Sequence, residues 1–479
     1  PAAMAEVQAP RKSLTESIGG MGMSALQKAK DAANFVAEGA ASLREEAFKK
    51  AKEKVASEYG EDMVELLDQL ATIVKKVSGE LNITKMKYGL MLAFPLIHLE
   101  HDLRPLPAAI GQLEEDADLA AQIKHWSHFA LAAYGAKPPE VAKDAEPTEK
   151  VQKRLELLLE DTDAKVVMAA LPGAESQTPG HFICVDPKRR AVVLGIRGTV
   201  NLCDAITDSV GNSIAFPEYP GQETHQAILV SARTVLERTK ESLTAALAKN
   251  PGFGVVITGH SLGAGTAILC ALLLKASPLP GRPRLRCFVY APPPVLLNPA
   301  DPAVASLDIN AVVHRHDIIP RVCLHSVYVL GREAIAVDSL DLGLMDRLQL
   351  IRKGKALPTE ENEKKQKVVA SIAQAKQAAN SEDHPELKAH HIPGRVFWIN
   401  SDVSPAHASK SDCGEFQALL LRAGIAALED HRMPKYRHCL EHLPPPTVTF
   451  PEIREVPKEQ EPRRCCGLFG GSGYKVSSQ

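Results

Sequence analysis

Ser261 lies between two glycines in the stretch Gly259-His260-Ser261-Leu262-Gly263. A serine hydroxyl is a strong nucleophile only when a neighbouring base removes its proton. The preceding run "VVIT" is typical of a strand and the following run "AGTAILCALLL" of a helix. A strand, G-x-S-x-G and a helix form a nucleophile elbow, a tight turn that exposes the serine at the end of a sheet. We therefore predict a nucleophile at Ser261; the alternative is a glycine-rich turn that contains a serine by chance.

A serine nucleophile also needs a base, and the base needs an acid that fixes its tautomer. After an elbow of this kind, the acid follows the serine in the chain and the histidine comes last. Asp317 ends the strand candidate "NAVVHRHD" and is preferred over Asp308 and Asp301, although it could be a simple turn residue. His431 is the preferred base because it lies in a short turn after the last strand candidate, "GRVFWI". The other histidines considered are His407, His438 and His442 after that strand and His390 and His391 before it.

The oxyanion formed during acyl transfer requires preorganised N–H donors. One donor in an elbow is the residue after the nucleophile, here Leu262. The second comes from an upstream strand-to-helix loop, and "GIRGTVNLCDAITD" supplies one that contains Thr199. We expect the Thr199 and Leu262 N–H groups to form an oxyanion hole; the alternative for Thr199 is a turn that caps the next helix.

Short Val- and Ile-rich runs follow one another from about residue 151. These strand candidates are residues 181–186, 191–198, 254–260, 286–293, 310–317 and 394–399. Helical stretches at 225–249 and 265–276 separate several of them. Strands that alternate with helices predict a mostly parallel sheet covered by helices. We therefore expect an α/β domain over residues 151–450.

Residues 1–150 have a different sequence pattern, without the Val- and Ile-rich runs. Apolar residues at helical spacing predict helices over 24–56 and 123–135, and 136–150 is predicted to be a linker. The helix over 24–56 could pack on a neighbour or lie on lipid, and packing is preferred because its apolar stripe is mostly alanine. The apolar segment 88–99 is too short to span a membrane and is expected to be buried or to act as an interfacial anchor.

Residues 331–390 are expected to be an insertion, partly helical and partly mobile. As a lid, it would turn its apolar residues inward over a lipid-binding site; otherwise it is a solvated loop. Those apolar residues are Leu340, Leu342, Leu344, Met345, Leu348, Leu350 and Ile351. Residues 451–479 are predicted to be a disordered tail in which Cys465 and Cys466, beside two arginines, are candidate lipidation sites.

The overall composition excludes several classes of protein. The 479 residues carry 56 basic and 58 acidic side chains, which gives no reason to expect a nucleic-acid partner. Nine cysteines, several of them inside apolar runs, fit a reducing compartment, and no secretory signal is evident. No cluster with metal-ligand spacing stands out, so we expect neither a metal nor another cofactor.

Together these segments resemble the class 3 lipases, in particular the sn-1-specific diacylglycerol lipases. The matching pieces, in the order of the family, are "VVLGIRGTVNLCDAITD", "THQAILVSA", "VVITGHSLGAGTA", "LRCFVYAPP", "VVHRHDIIPRV", "PGRVFWI" and "ALEDHRMPKYRHCL". The resemblance covers roughly residues 160–445 and implies an α/β-hydrolase fold, here with an N-terminal helical extension. It also implies the roles of nucleophile for Ser261, acid for Asp317, base for His431 and oxyanion hole for Thr199 and Leu262. The insertion 331–390 falls where these lipases carry a regulatory segment.

The resemblance implies hydrolysis of an acyl ester of a glycerolipid such as diacylglycerol or triacylglycerol. A phospholipase A1 or another lipid esterase could use the same residues, and a non-catalytic binding protein could keep the fold. The expected partner is a glycerolipid on a membrane or lipid-droplet surface, and the expected location is cytoplasmic with peripheral membrane attachment. Animal diacylglycerol lipases begin with several membrane-spanning helices, and no comparable apolar stretch occurs in this sequence.

Overall fold

The computed structural model describes the central part of the chain and a few residues before it. The described residues are 86–101, 111–113, 116–159, 162–172, 178–199, 202–354, 358–359, 362–382, 384, 387–399, 408–411 and 430–441, with Glu53, Asp68 and Thr72. Almost all of the predicted helix over 24–56, and the whole predicted tail with Cys465 and Cys466, lie outside them.

A nine-stranded sheet runs through the described residues. Its strands, in chain order, are β1 Gly111–Gln112, β2 Lys165–Ala170, β3 His181–Asp186, β4 Ala191–Ile196, β7 Gly254–His260, β8 Leu285–Tyr290, β9 Asp308–His314, β10 Arg395–Ile399 and β11 Ala408–Ser411. The order across the sheet is β1-β11-β10-β9-β8-β7-β4-β3-β2. Strands β4, β7, β8, β9 and β10 are parallel, and the outer strands pair antiparallel. A separate small ribbon joins β5 Ser213–Ala215 to β6 Glu223–His225.

Helices cover both faces of this sheet. In chain order they are α1 Leu90–His101, α2 Ala117–Ala132, α3 Pro147–Leu158, α4 Leu202–Ser209, α5 Gln226–Lys249, α6 Leu262–Ala276, α7 Pro302–Ala305, α8 Leu324–Asp338, α9 Leu344–Lys353, α10 Glu363–Ser381 and α11 Met433–Glu441. One apolar core lies between the sheet and α5 and α6, and a second lies between the opposite face and α2, α3 and α11. This is the α/β-hydrolase fold, with the turn between β7 and α6 as its elbow.

The central strands are the ones that the sequence predicts. β3 and β7 have the expected bounds, and β4, β8, β9 and β10 differ from them by one to three residues at their ends. Every residue of β3, β4 and β7 is buried, because helices cover both faces of the sheet at these strands.

A third apolar core is formed largely by the insertion. Helices α8, α9 and α10 pack with α1, with Ala205 and Ile206 of α4, and with Ile318 and Ile319 after β9. The apolar segment 88–99 is thus mainly helix α1, and Leu96 and Ile97 are completely buried. The insertion therefore contains three packed helices and lies at the end of the sheet from which Asp317 emerges.

The structure corrects the inward orientation expected for part of this insertion. Leu342 and Leu350 are buried, but Leu344, Met345 and Leu348 are exposed to solvent. The reason is the buried Arg347 of α9, whose guanidinium donates to the carbonyl oxygens of Val337, Asp338, Leu340 and Leu342. This capping of α8 fixes the rotation of α9 and turns its first apolar residues outward.

The N-terminal segment that the structure describes packs closely on the sheet. The predicted helix over 123–135 is contained in α2 and the residues after it, and Trp126 and Phe129 lie in the second core. The end of the expected linker 136–150 begins α3, with Pro147 in its first turn. No helix among the described residues is long and apolar enough to cross a membrane.

Candidate active site

Ser261 is held in a strained turn between β7 and α6. Its φ of 60° lies in the left-handed region, which a residue with a side chain adopts only under constraint. A Cβ on Gly259 would lie 2.5 Å from the carbonyl oxygen of Gly263, and a Cβ on Gly263 would lie 2.5 Å from that of Ile196. The two glycines of the motif are therefore needed because main chains approach each other on both sides of the serine.

The structure brings Ser261, His431 and Asp317 into one hydrogen-bonded chain. His431 Nε2 lies 3.0 Å from Ser261 Oγ, and His431 Nδ1 lies 2.9 Å from Asp317 Oδ1. The carboxylate fixes the proton on Nδ1, which leaves Nε2 free to accept the serine proton. Of the candidate acids and bases, Asp317 and His431 are thus the ones placed at the elbow. Their catalytic roles remain predictions.

The Asp317 carboxylate has further donors that the sequence did not indicate. The Tyr436 hydroxyl donates to Oδ2 at 2.6 Å, and the Ile319 N–H donates to Oδ1 at 2.9 Å. Burial alone would raise the pKa of Asp317, but the His431 imidazole and these hydrogen bonds hold it below its usual value. Burial raises the pKa of Tyr436, so that its hydroxyl remains a donor. Asp317 is therefore a buried, ionised acceptor.

The two expected oxyanion donors flank the serine. Leu262 opens α6, where an N–H has no partner inside the helix and the helix dipole is positive. Thr199 is half-buried in the loop that follows β4. Its neighbour Gly198 approaches the elbow so closely that a Cβ there would lie 2.8 Å from Ser261 Cβ. The arrangement places the loop that carries Thr199 directly against the nucleophile.

A second hydrogen-bonded chain crosses the elbow through His260. The Tyr134 hydroxyl donates to His260 Nδ1 at 2.9 Å, and His260 Nε2 donates to the main-chain oxygen of His431 at 2.8 Å. The Tyr134 hydroxyl in turn accepts the N–H of Gly198. Burial, with the nearby His431, lowers the pKa of His260 to about 3, so its imidazole is neutral. The chain connects α2, the elbow, the Thr199 loop and the His431 loop.

The loop of His431 is also attached to the end of β9. The carboxylate of Asp430 accepts the main-chain N–H of His316 at 3.0 Å. The main-chain oxygen of Asp430 lies 3.2 Å from His314 Nδ1, and the His314 N–H donates to the Tyr436 hydroxyl at 2.9 Å. Because Asp317 follows the same strand end, these contacts set the distance between His431 and Asp317.

The remaining candidates have other surroundings. Asp308 begins β9, at the opposite end from Asp317, and binds Arg286 and Arg395. His390 contacts Ser213, and His391 pairs through its main chain with Leu296. His438 is exposed on α11, Asp301 caps α7, and His407 and His442 lie outside the described residues.

Sequence reasoning missed the positioning residues Tyr134 and Tyr436. Tyr436 follows His431 by five residues in the segment "ALEDHRMPKYRHCL". A tyrosine so close in sequence to the proposed base was the signal that could have indicated its role. Tyr134 is 126 residues from His260, and no local pattern connects them. No group of His, Cys, Asp and Glu able to hold a metal occurs among the described residues.

A fold and elbow of this kind, with a serine, a histidine and an aspartate in hydrogen-bond contact, form the arrangement that is typical of serine hydrolases. Residues 193–326 match the family model described as "Lipase (class 3)". This matched segment, which contains Ser261 and Asp317, is similar to the class 3 lipases.

Curated lipases are similar to part of this chain. Diacylglycerol lipase-alpha of Rattus norvegicus is 31% identical over 186 residues, which is 37% of this chain and 17% of that protein. Diacylglycerol lipase-beta of Mus musculus is 28% identical over 161 residues, 33% of this chain and 24% of that protein. The match thus spans less than a quarter of the length of either relative. A lipase from Rhizopus microsporus var. chinensis superposes with a TM-score of 0.43 at 19% identity, over 67% of this chain and 89% of that one.

Proposed function

We propose that this chain is a serine hydrolase that cleaves an acyl ester of a glycerolipid, with diacylglycerol or triacylglycerol as substrate. The observation that carries the proposal is the hydrogen-bonded chain Ser261–His431–Asp317 at the elbow. The substrate class is supported by the family match and by relatives that are named diacylglycerol lipases.

The geometry supports the following proposed steps. Ser261 Oγ attacks the ester carbonyl carbon while His431 Nε2 takes its proton, and Asp317 stabilises the imidazolium. The tetrahedral oxyanion accepts the N–H groups of Leu262 and Thr199. The C–O bond to the glycerol then breaks, and His431 returns the proton to the leaving alcohol. A water molecule, deprotonated by His431, attacks the acyl-serine, and the fatty acid and free Ser261 are released.

A soluble lipase must also shield its acyl site from water. Ser261 is completely buried in this structure and His431 is only 7% exposed. A bulky acyl ester therefore reaches Oγ only after neighbouring segments move, which is the expected behaviour of a site that opens at a lipid surface. Helices α8 and α10 place their apolar faces in the third core, which also contains Ile318 and Ile319 beside Asp317. These two helices are therefore candidates to participate in that movement.

The experiment uses a fluorophosphonate probe and a lipid panel. We expect the probe to label the wild-type chain and Ser277→Ala, an exposed control at the other end of α6, but not Ser261→Ala. We expect faster fatty-acid release from diacylglycerol or triacylglycerol than from phospholipid or galactolipid. Labelling of Ser261→Ala at the wild-type rate would contradict the role of Ser261. Faster hydrolysis of phospholipid than of the other lipids would favour a phospholipase A1. Failure of the probe to label the wild-type chain would favour a non-catalytic binding protein.

We further propose a cytoplasmic location with peripheral attachment to a membrane or lipid droplet. Support comes from the cysteines: Cys184, Cys270, Cys287 and Cys323 of the described residues are buried and form no disulfide. Acylation of Cys465 and Cys466 would supply two anchors, which stable attachment requires. We expect hydroxylamine-sensitive acyl labelling in cells, and we expect the Cys465→Ser/Cys466→Ser variant to lose it. Equal labelling of that variant would exclude these two sites.

A further inference from the structure

Helix α9 presents an apolar surface to solvent. Seven large hydrophobic side chains are exposed among the described residues, and three of them lie within five positions of α9. Leu344 is 42%, Met345 75% and Leu348 43% exposed. The other four, Leu157, Val167, Ile214 and Val230, belong to four different elements. An apolar group of this kind is unfavourable in water and often marks a contact surface.

The orientation of this surface is fixed by the opposite side of the helix. Arg347 is completely buried and donates to four carbonyl oxygens of the α8–α9 connection. Leu350, three residues later, is buried in the third core. Turning Leu344 and Leu348 inward would remove Arg347 from all four acceptors and leave them unpaired. The outward position of the three apolar side chains is therefore part of the packed arrangement.

The charges on the same face are cationic. With about 3.6 residues per turn, Arg352 falls between Leu348 and Met345 on the exposed half of α9, and Lys353 falls at the edge of that half. Arg352 and Lys353 are exposed, and the half centred on Leu348 and Arg352 contains no acidic residue. Asp346, the acidic residue of α9, is 33% exposed beside Lys353 and is paired with Lys364 at 2.6 Å. Apolar side chains followed by exposed cations are the pattern of a helix that lies on an anionic membrane surface.

We propose that the docking face, defined as Leu344, Met345, Leu348, Arg352 and Lys353, binds an anionic lipid bilayer. The three apolar side chains enter the headgroup region, and the two cations remain among the lipid phosphates and carboxylates. Helix α9 belongs to the core that rests on Ile318 and Ile319, directly after Asp317. Binding through this face therefore holds the catalytic end of the sheet at the lipid. The inference rests on the proposed function and adds to it the surface that contacts the lipid.

The test is co-sedimentation of the full chain, produced without acylation, with vesicles of phosphatidylcholine alone or mixed with phosphatidylserine. Leu344→Ser/Met345→Ser/Leu348→Ser should reduce partitioning to both vesicles by about tenfold or more, because the inserted apolar area is lost. Arg352→Gln/Lys353→Gln should reduce partitioning to the mixed vesicles by about fivefold per cation, with a smaller effect on neutral vesicles.

The matched control removes as many exposed apolar side chains elsewhere. Leu157→Ser/Val167→Ser/Val230→Ser should bind both vesicles like the wild type. Unchanged binding of the docking-face variants, an equal loss in the control, or no binding by the wild type would overturn the proposal. The proposal would also be overturned if the wild type were a dimer and the Leu344→Ser/Met345→Ser/Leu348→Ser variant a monomer, because the docking face would then bind a second copy of the chain.

A soluble short-chain ester separates this inference from the proposed function. The docking-face variants should hydrolyse it at the wild-type rate, because none of the five residues belongs to the catalytic chain. If the wild type binds vesicles through α9 but hydrolyses no ester, the proposed function fails and the docking face stands. If the wild type hydrolyses the ester and the variants bind vesicles normally, the docking face fails alone.

Discussion

The imidazole Nε2 of His260 lies 2.8 Å from the main-chain oxygen of His431. The residue before the proposed nucleophile thus holds the backbone of the proposed base, and Tyr134 holds His260 from the other side. His260 is a neutral imidazole with one N–H. Because the His431 carbonyl oxygen can only accept, Nε2 carries this proton and donates it, and Nδ1 accepts the Tyr134 hydroxyl. Tyr134 and His260 are therefore positioning residues for His431.

Replacing Tyr134 with Phe tests this role. We expect kcat to fall about tenfold with little change in KM, because His431 loses part of its alignment with Ser261. The lost hydrogen bond should also lower the free energy of unfolding by about 1 kcal/mol. Tyr219→Phe is the matched control, since the Tyr219 hydroxyl donates to the Leu272 carbonyl oxygen in the first core. A similar fall in kcat for both variants would show that Tyr134 acts only through stability.

Substitution of the proposed acid by its amide should separate Asp317 from the other candidate. In Asp317→Asn the geometry is kept, but the side-chain amide can stabilise the wrong tautomer of His431, and kcat should drop by about 10³–10⁴. Asp308→Asn should retain most activity, because Asp308 binds Arg286 and Arg395 at the far end of β9. Kinetics on one soluble ester compares the two variants. A milder effect at Asp317 than at Asp308 would refute the assignment.

The strands and the elbow were predictable because their signals are local. Strands β3, β4 and β7 are buried on both faces of the sheet, so they are visible as short apolar runs rich in Val and Ile. The elbow requires glycines beside Ser261, and Asp317 follows a strand, so both are readable within a few residues. Strand β2 was not predicted, because this edge strand is only partly buried and its sequence "KVVMAA" lacks a fully apolar pattern.

The contacts that depend on distant segments were not predictable. Arg347 is a charged residue of the insertion, yet it is buried where four carbonyl oxygens of the α8–α9 connection converge. Only the packing of α9 against α8 reveals those acceptors. The contact of Tyr134 with His260 likewise requires α2 to lie across the sheet. Periodicity identifies a helix and its apolar residues but leaves open which neighbour each face meets.

The approach of Gly198 to the elbow predicts a sensitive position. In Gly198→Ala the new Cβ would lie 2.4 Å from the His260 carbonyl oxygen, which is backbone and cannot move aside easily. We expect the loop to shift and withdraw the Thr199 N–H, which lowers kcat by about 10²–10³. Gly343→Ala is the control, because its Cβ would meet only the Asp346 carboxylate at 3.9 Å. Wild-type kcat in folded Gly198→Ala would contradict the proposed oxyanion donor.

Acid should destabilise the fold through buried histidines. Burial lowers the pKa of His125, His225 and His390 to about 4 and that of His260 to about 3. An unfolded imidazole titrates near pH 6.5, so between about pH 6.5 and 4 the unfolded chain binds more protons than the folded one. The free energy of unfolding should then fall as pH is lowered, by roughly 1 kcal/mol per pH unit for each such histidine. Urea titrations at pH 7, 6 and 5 measure this slope, and His390→Gln should reduce it by one histidine's share. Loss of the Ser213 contact with His390 lowers stability equally at every pH, so an unchanged slope in this variant would contradict the prediction.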